Sequence, residues 1–445
     1  MHIIETIILL LCSLFPMFHI INSFPLFRKK PYYLTKKNRK TIGMSILIPC
    51  YNESKIIETA IEGLQNLQYE NLEVIFINDG SQDNTLELFW HHLYLVPIEG
   101  TRQSKLTYKP VRGYYQSQRF PWIYVLDKVN GGKADSLNAA IDHTSQELVI
   151  TLDADSILAP NTLQIINNAF ADPDLVAAGG MVHILQGESM ENMNMKKKNI
   201  VRLQIFEYLK GFYILKTSLA KVNSLAIISG AFGIFKRNFI QYMGGFRNTL
   251  GEDIDITLKF QQYLKRRPKK KILFIPEAVC YTECPESWRD LFKQRVRWQK
   301  AFIDCIFQYW RFLSKTFLTR GVSFFMLLDS FIVGTLSNFF ICSIILVFPL
   351  ISLHQSLRIV LIYLIGSIFF NTIYNFYGYF ISWYYGVRFK GWNKLRLLWT
   401  MLLDVLFFRF YAMYIIIHGT VAYIFNQHSW NKVSRTGHSY QLDQK

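Results

Sequence analysis

Apolar residues are spread unevenly along this chain, and that unevenness limits what it can fold into. Within residues 3–27 the only charge is Glu5, and long apolar runs return from Val322 onward, whereas 44–286 has the mixed pattern of a globular α/β protein. The first run is long enough to cross a hydrocarbon core of ~30 Å. It lacks a basic start and a small-residue cleavage site, so it reads as a retained anchor and not as a signal peptide. Arg28, Lys29, Lys30, Lys36, Lys37, Arg39 and Lys40 follow it, and a cationic flank favours the cytoplasmic side.

The chain accordingly divides into an N-terminal transmembrane helix (1–27), a basic cytoplasmic linker (28–43), a globular domain (44–286), amphipathic interfacial helices (287–320), transmembrane or re-entrant helices (321–425) and a basic polar tail (426–445). Its 445 residues, 51% hydrophobic with a formal charge of +17, are too many and too uneven for one soluble domain. Residues 322–353 and 359–385 read as spans. Asp404 and Arg409 interrupt 397–425, and ionisable groups in lipid are costly unless paired or facing a cavity. A third span and a re-entrant segment both stay open. Charge bias favours the second, which keeps Trp430, Lys432 and Arg435 cytoplasmic.

Six scattered cysteines suggest no disulfide framework. Cys280 and Cys284 lack the second pair that a zinc site needs. The basic run 265–271 comes with no nucleic-acid motif, so it reads as a solvated loop near anionic lipid, and nucleic acid is not an expected partner.

Within the globular domain, apolar runs at 44–50, 72–77, 122–126 and 148–152 alternate with helical stretches. That is the pattern of an α/β fold with a mainly parallel sheet covered on both faces. Three runs end in polar clusters: Tyr51-Asn52-Glu53, Asn78-Asp79-Gly80-Ser81 and Asp153-Ala154-Asp155. Such residues also build turns. Three in succession at strand ends, where open α/β sheets bind ligands, indicate one crevice.

Further along come Asn130-Gly131-Gly132-Lys133-Ala134-Asp135, Gly251-Glu252-Asp253 and Gln294-Arg295-Val296-Arg297-Trp298. With Ser45–Glu53 and the clusters above, these motifs stand in the order of the membrane-bound, inverting glycosyltransferases of family 2, which the chain resembles over 45–298. That group contains hyaluronan, cellulose and poly-N-acetylglucosamine synthases. The resemblance implies a GT-A-type domain fused to transmembrane and interfacial helices, facing the cytoplasm at a bacterial plasma membrane. It implies transfer of sugar from a UDP-sugar to a growing polysaccharide, with export and with accessory export or regulatory subunits as possible partners. The alternatives are transfer of one sugar to a membrane lipid, giving a glycolipid, and a non-catalytic assembly subunit with a degenerate transferase fold.

The spacing of Asp153 and Asp155 aims hard oxygen ligands at a Mg2+ or Mn2+ bridging phosphates, and the resemblance implies the same role. It also puts Asp79 on the uracil base and Tyr51 and Glu53 near the nucleoside, with Asp135 and Asp153 reaching the same donor. Lys133 offers an ammonium to a phosphate beside Gly131 and Gly132, a triplet that is equally a good turn before a helix. Asp253 is the candidate general base for an acceptor hydroxyl, with Glu252 and Asp255 as rivals. Asp255 serves equally well as a helix-starting acid. Single displacement inverts the anomeric carbon.

Segment 229–233 is either a sugar neighbourhood or tight packing. Gln294, Arg297 and Trp298 share one helix face. There Trp298 would stack on the acceptor sugar and Arg297 would hold the diphosphate, with Glu252 and Gln294 beside them. Arg295 falls on the apolar stripe of Trp288, Leu291, Phe292, Ile303, Ile306 and Trp310, from which it would snorkel to a lipid phosphate. The stretch 89–121 has no assigned role beyond an acceptor-side or partner loop.

Overall fold

The computed structural model describes residues 2–25, 31–99, 105–347 and 353–425. Arg28, Lys29 and Lys30 of the basic linker and the whole 426–445 tail lie outside the described residues. The chain forms two compact units, each discontinuous in sequence: Lys30–Leu185 with Leu225–Glu283, and Met1–Lys29 with Gln186–Ser224 and Cys284–Ser434. Segment Gln186–Ser224, which the sequence assigns to the globular domain, therefore groups with the apolar helices. Its helix Asn199–Lys210 buries Ile200, Val201, Leu203, Ile205, Phe206 and Leu209, so it is covered on more than one face.

The first unit is built on a ten-stranded sheet. Its strands are β1 (Met44–Cys50), β2 (Leu72–Asn78), β3 (Leu95–Pro97), β4 (Val111–Ser117), β5 (Ile123–Lys128), β6 (Leu148–Leu152), β7 (Ser156–Leu158), β8 (Leu175–Ile184), β9 (Phe232–Lys236) and β10 (Lys271–Thr282). Their order is β3-β4-β5-β2-β1-β6-β9-β8-β10-β7. The expected parallel core is β5-β2-β1-β6. Antiparallel strands extend it on both sides, and β8 pairs parallel with β10, so the whole sheet is mixed. Strands β2 and β6 are buried along their full length, which is why they read as unbroken apolar runs. Helix Ile57–Gln65 buries Ile57, Ala60, Ile61 and Leu64, one helical stripe.

Register fixes the functional edge. Cys50 lies opposite Asn78, and Asn78 opposite Asp127, so the carboxyl ends of β1, β2 and β5 are level. The stretch 89–121 gains a structural role here, because it supplies β3 and β4 to the sheet. Buried Asp142 anchors it by accepting the Lys105 and Leu106 N–H groups at 2.9 and 3.0 Å.

Among the described residues, the second unit contains helix His2–Ser23 and three helices long and apolar enough to cross a membrane: Gly321–Ser343, Leu357–Tyr384 and Trp392–Ile424. The last is 33 residues long, about 50 Å at 1.5 Å per residue. It continues through Asp404 and Arg409 with a π-helical stretch at Asp404–Phe408. The physical reason is pairing: Asp404 is buried and lies 2.6 Å from Lys210, whose ammonium also donates to Asn375 at 2.7 Å. The apolar stripe of helix Trp288–Gln308 packs on this helix, with Trp288 against Tyr411, Phe292 on Tyr414 and Phe307 on Tyr423. Among the described residues, Cys50, Cys280, Cys284, Cys305 and Cys342 are in no disulfide.

Breaking the intramembrane-type pair should be costly, since one buried charge is left alone. Lys210→Met should lower unfolding stability in detergent by about 3–5 kcal/mol, and adding Asp404→Leu should restore most of it. A second prediction concerns buried Glu73, whose carboxyl burial pushes up from 4.5 to about 7 against hydroxyl hydrogen bonds from Thr144 and Ser45. Between those values the folded state binds more protons than the unfolded one, so stability falls as pH rises through that window. The change is on the order of 3 kcal/mol. Thermal unfolding of Glu73→Gln should show no such slope between pH 5 and 7.

Candidate active site

The parallel core brings the polar strand ends to one edge. After β1, Asn52 adopts a left-handed backbone (φ 53°) that its short amide side chain tolerates. Its N–H donates to Ser81 Oγ at 3.0 Å, and its Oδ1 accepts the Gln82 N–H at 2.7 Å. The Glu53 N–H donates to Thr85 Oγ1, and the Ser54 N–H to Asp83. The loop carrying Tyr51 and Glu53 is thus tied to the loop after β2. Tyr51 stays 38% exposed, so its ring is open to a ligand.

Asp79 builds the turn that precedes Lys133. Its Oδ1 accepts the Gly131 N–H at 2.9 Å and its Oδ2 the Gly132 N–H at 2.7 Å. Gly132 has φ +92°, a conformation that side-chain-bearing residues avoid. Oδ1 also accepts from Lys128 at 2.8 Å. Lys128 lies 2.5 Å from Asp135 as well, and its side chain is 0% exposed. Asp135 in turn accepts the Lys109 N–H, two residues before β4. Sequence reasoning missed Lys128. The available signal was a cation closing the apolar run of β5.

A second cluster forms around Lys133. Because β9 runs antiparallel to β6, with Leu152 opposite Phe232, the residues preceding β9 arrive beside Asp153. The Lys133 ammonium lies 2.7 Å from Asp153 Oδ1 and 3.3 Å from Glu252 Oε1, and it donates to the Gly230 carbonyl at 3.2 Å. Burial favours the neutral amine, but Asp153, Glu252 and Asp253 outweigh it and hold the ammonium charged well above the ordinary lysine range. A Cβ on Gly230 would come within 3.1 Å of that ammonium. Ser229 and Gly230 therefore line the cleft, while Phe232 is buried in β9.

Asp253 opens helix Glu252–Lys265. Its carboxylate accepts the Gly230 N–H at 3.2 Å and the Ile254 N–H at 2.8 Å, which fixes its direction. Asp255 is buried, 2.8 Å from Arg247 and 3.3 Å from Lys259, so it holds structure and does not face a substrate. Asp155 is 6% exposed beside the Ser156 and Thr282 hydroxyls, at 3.4 and 3.3 Å.

Among the described residues no three His, Cys, Asp or Glu side chains form a metal cage. The donor set still fits Mg2+ or Mn2+. Asp153 is a hard oxygen donor 30% exposed, and Mg2+ ordinarily takes one or two carboxylates and completes its shell with phosphates and water.

Gln294, Arg297 and Trp298 belong to the second unit, on helix Trp288–Gln308. Arg295 departs from the expected snorkel to lipid. It pairs with Glu207 at 2.8 Å and lies over the Trp298 ring at 4.1 Å, because helix Asn199–Lys210 offers a carboxylate at that level. One face of Trp298 is therefore covered by a guanidinium, while the residue keeps 39% of its surface exposed.

Comparison with known proteins agrees with this geometry. A model described as glycosyltransferase like family 2 matches residues 115–301, and one described as glycosyl transferase family 2 matches 45–91. The chain is similar to a poly-beta-1,6-N-acetyl-D-glucosamine synthase of Staphylococcus epidermidis, 27% identical over 308 residues, covering 68% of this chain and 65% of the relative. It is 30% identical over 279 residues to the protein of that name in Staphylococcus aureus strain COL, covering 62% and 59%. The chain thus spans less than two thirds of these relatives' length. The structure of a mannosyltransferase from Pyrobaculum calidifontis, in complex with GDP-Man and Mn2+, shares the fold with a TM-score of 0.55 and 15% identity, over 96% of this chain and 99% of the other. The matched regions contain both lysine-centred acid clusters and most of the helix bearing Arg297, and the chain belongs to the family 2 glycosyltransferases, resembling their membrane-bound polysaccharide synthases.

Proposed function

We propose that this protein transfers a sugar from a UDP-sugar to a growing polysaccharide, with inversion, at the cytoplasmic face of a cell membrane that its apolar helices cross several times. One observation carries the reading: Asp153, Glu252 and Asp253 gather around Lys133 at the carboxyl ends of the parallel strands. Similarity to poly-N-acetylglucosamine synthases supports polymer as product; export through the helices and accessory subunits as further partners extend the same proposal.

In this reading Asp79, with Tyr51, Glu53 and Asp135, holds the nucleoside, and the Gly131-Gly132 turn lets backbone approach the diphosphate. Asp253 takes the proton of the acceptor hydroxyl as the new bond to the anomeric carbon forms and the bond to UDP breaks. Its two backbone N–H partners keep the carboxylate aimed while it does so. Mg2+ or Mn2+, held by Asp153 with Asp155 behind it, would supply Lewis-acid stabilisation of the departing diphosphate. Lys133 adds a cationic donor for the same charge, and Glu252 beside it offers hydrogen bonds. In the other unit Arg297, Gln294 and Trp298 carry the groups to which the family resemblance gives diphosphate and acceptor-sugar roles: a guanidinium, an amide and a stacking ring.

Asp253→Asn should lower turnover by about 10²–10⁴-fold while UDP affinity, measured by calorimetry, stays unchanged; unaltered turnover would remove the base assignment. Lys128→Met should raise KM for the donor more than it lowers kcat, because Asp79 and Asp135 lose the cation that sets the turn. Incubation in nanodiscs with a panel of UDP-sugars, followed by product sizing, tests the polymer reading. A product carrying one sugar per acceptor would select the glycolipid alternative.

A further inference from the structure

Lys133 spends its ammonium on carboxylates. Its nearest oxygen belongs to Asp153, at 2.7 Å, and Glu252 follows at 3.3 Å. Asp153 is also the carboxylate that the proposed reaction assigns to a divalent cation, so ammonium and metal draw on one oxygen centre. The Gly230 carbonyl at 3.2 Å closes the ammonium in on another side.

Resting on the glycosyltransferase reading, we infer that Lys133 is the resident counter-cation of the metal-free cleft, and that a divalent ion gains Asp153 only together with a nucleoside diphosphate that draws Lys133 away. Without a cation, Asp153, Glu252 and Asp253 would repel one another in a partly buried cleft. Lys133 relieves that repulsion. It also makes the cleft a poor site for a free dication, which would have to sit beside an ammonium. A diphosphate changes the balance, since it offers Lys133 new anionic oxygens and completes the metal's shell. Metal and nucleotide then favour each other's binding, and the coupling is reciprocal. Lys133 is in this sense a positioning residue that sets the order of assembly.

The test is Mn2+ titration of the full chain in detergent, followed by electron paramagnetic resonance of free Mn2+, with and without UDP. Wild type should bind Mn2+ at least about tenfold more tightly with UDP than alone, within the usual range of coupling. Lys133→Gln, which keeps length and removes charge, should bind Mn2+ alone about tenfold more tightly than wild type and lose most of the dependence on UDP. Lys133→Arg should restore the dependence. Wild-type affinity that is the same with and without UDP overturns the inference, whatever the variant's folding. So does Lys133→Gln binding Mn2+ alone no better than wild type. Failure of wild type to bind Mn2+ even with UDP instead overturns the metal reading of the proposed function, and this inference with it.

Discussion

Two lysine ammoniums hold the acidic edge of the sheet together. Lys128 joins Asp79 to Asp135 with its side chain wholly buried, and Lys133 joins Asp153 to Glu252 with Asp253 beside it. The carboxylates come from the ends of different strands and the starts of different helices, so each lysine fastens elements that are far apart in sequence. A buried carboxylate without a partner would protonate or drive its loop outward. The shape of the cleft and its residual negative charge are therefore one property. Five carboxylates against two ammoniums leave an excess of negative charge along this edge.

The sequence was most readable where a residue's character is local. Strands β1, β2, β5 and β6 are buried on both faces, and each therefore appears as a short apolar run with polar residues at its end. The clusters at Asp79, Asp153 and Asp253 were legible for the same reason. Lys128 was not, because its significance lies in two acids that only the sheet register brings near it. Lys133 reads from the sequence as a phosphate partner, whereas its partners in the structure are carboxylates from two other elements. The grouping of Gln186–Ser224 with the apolar helices was hidden on similar grounds, since a helix buried on several faces carries the same pattern in a globular core or among apolar helices.

Among the apolar helices the same rule operates at greater sequence distance. Asp404 reads as an interruption because the residue that neutralises it, Lys210, stands 194 positions earlier. His19 likewise bridges Ser218, at 2.9 Å, and Asp329, at 3.0 Å. Polar residues in these helices are matched by one another, so an unbroken apolar pattern was never required for an unbroken helix.

The interleaving of the two units has a consequence for how the protein is made. Strand β9 lies between β6 and β8 in the sheet, yet it emerges from the ribosome only after helix Asn199–Lys210 and the turns that follow it. A nascent chain that has completed β8 therefore carries the piece β3-β4-β5-β2-β1-β6, whose β6 edge exposes ladder donors and acceptors to mispairing, and a strand β8 with neither of its partners yet made. Closure of the sheet waits until the apolar insertion has been synthesised, so the length of that insertion is a delay written into translation.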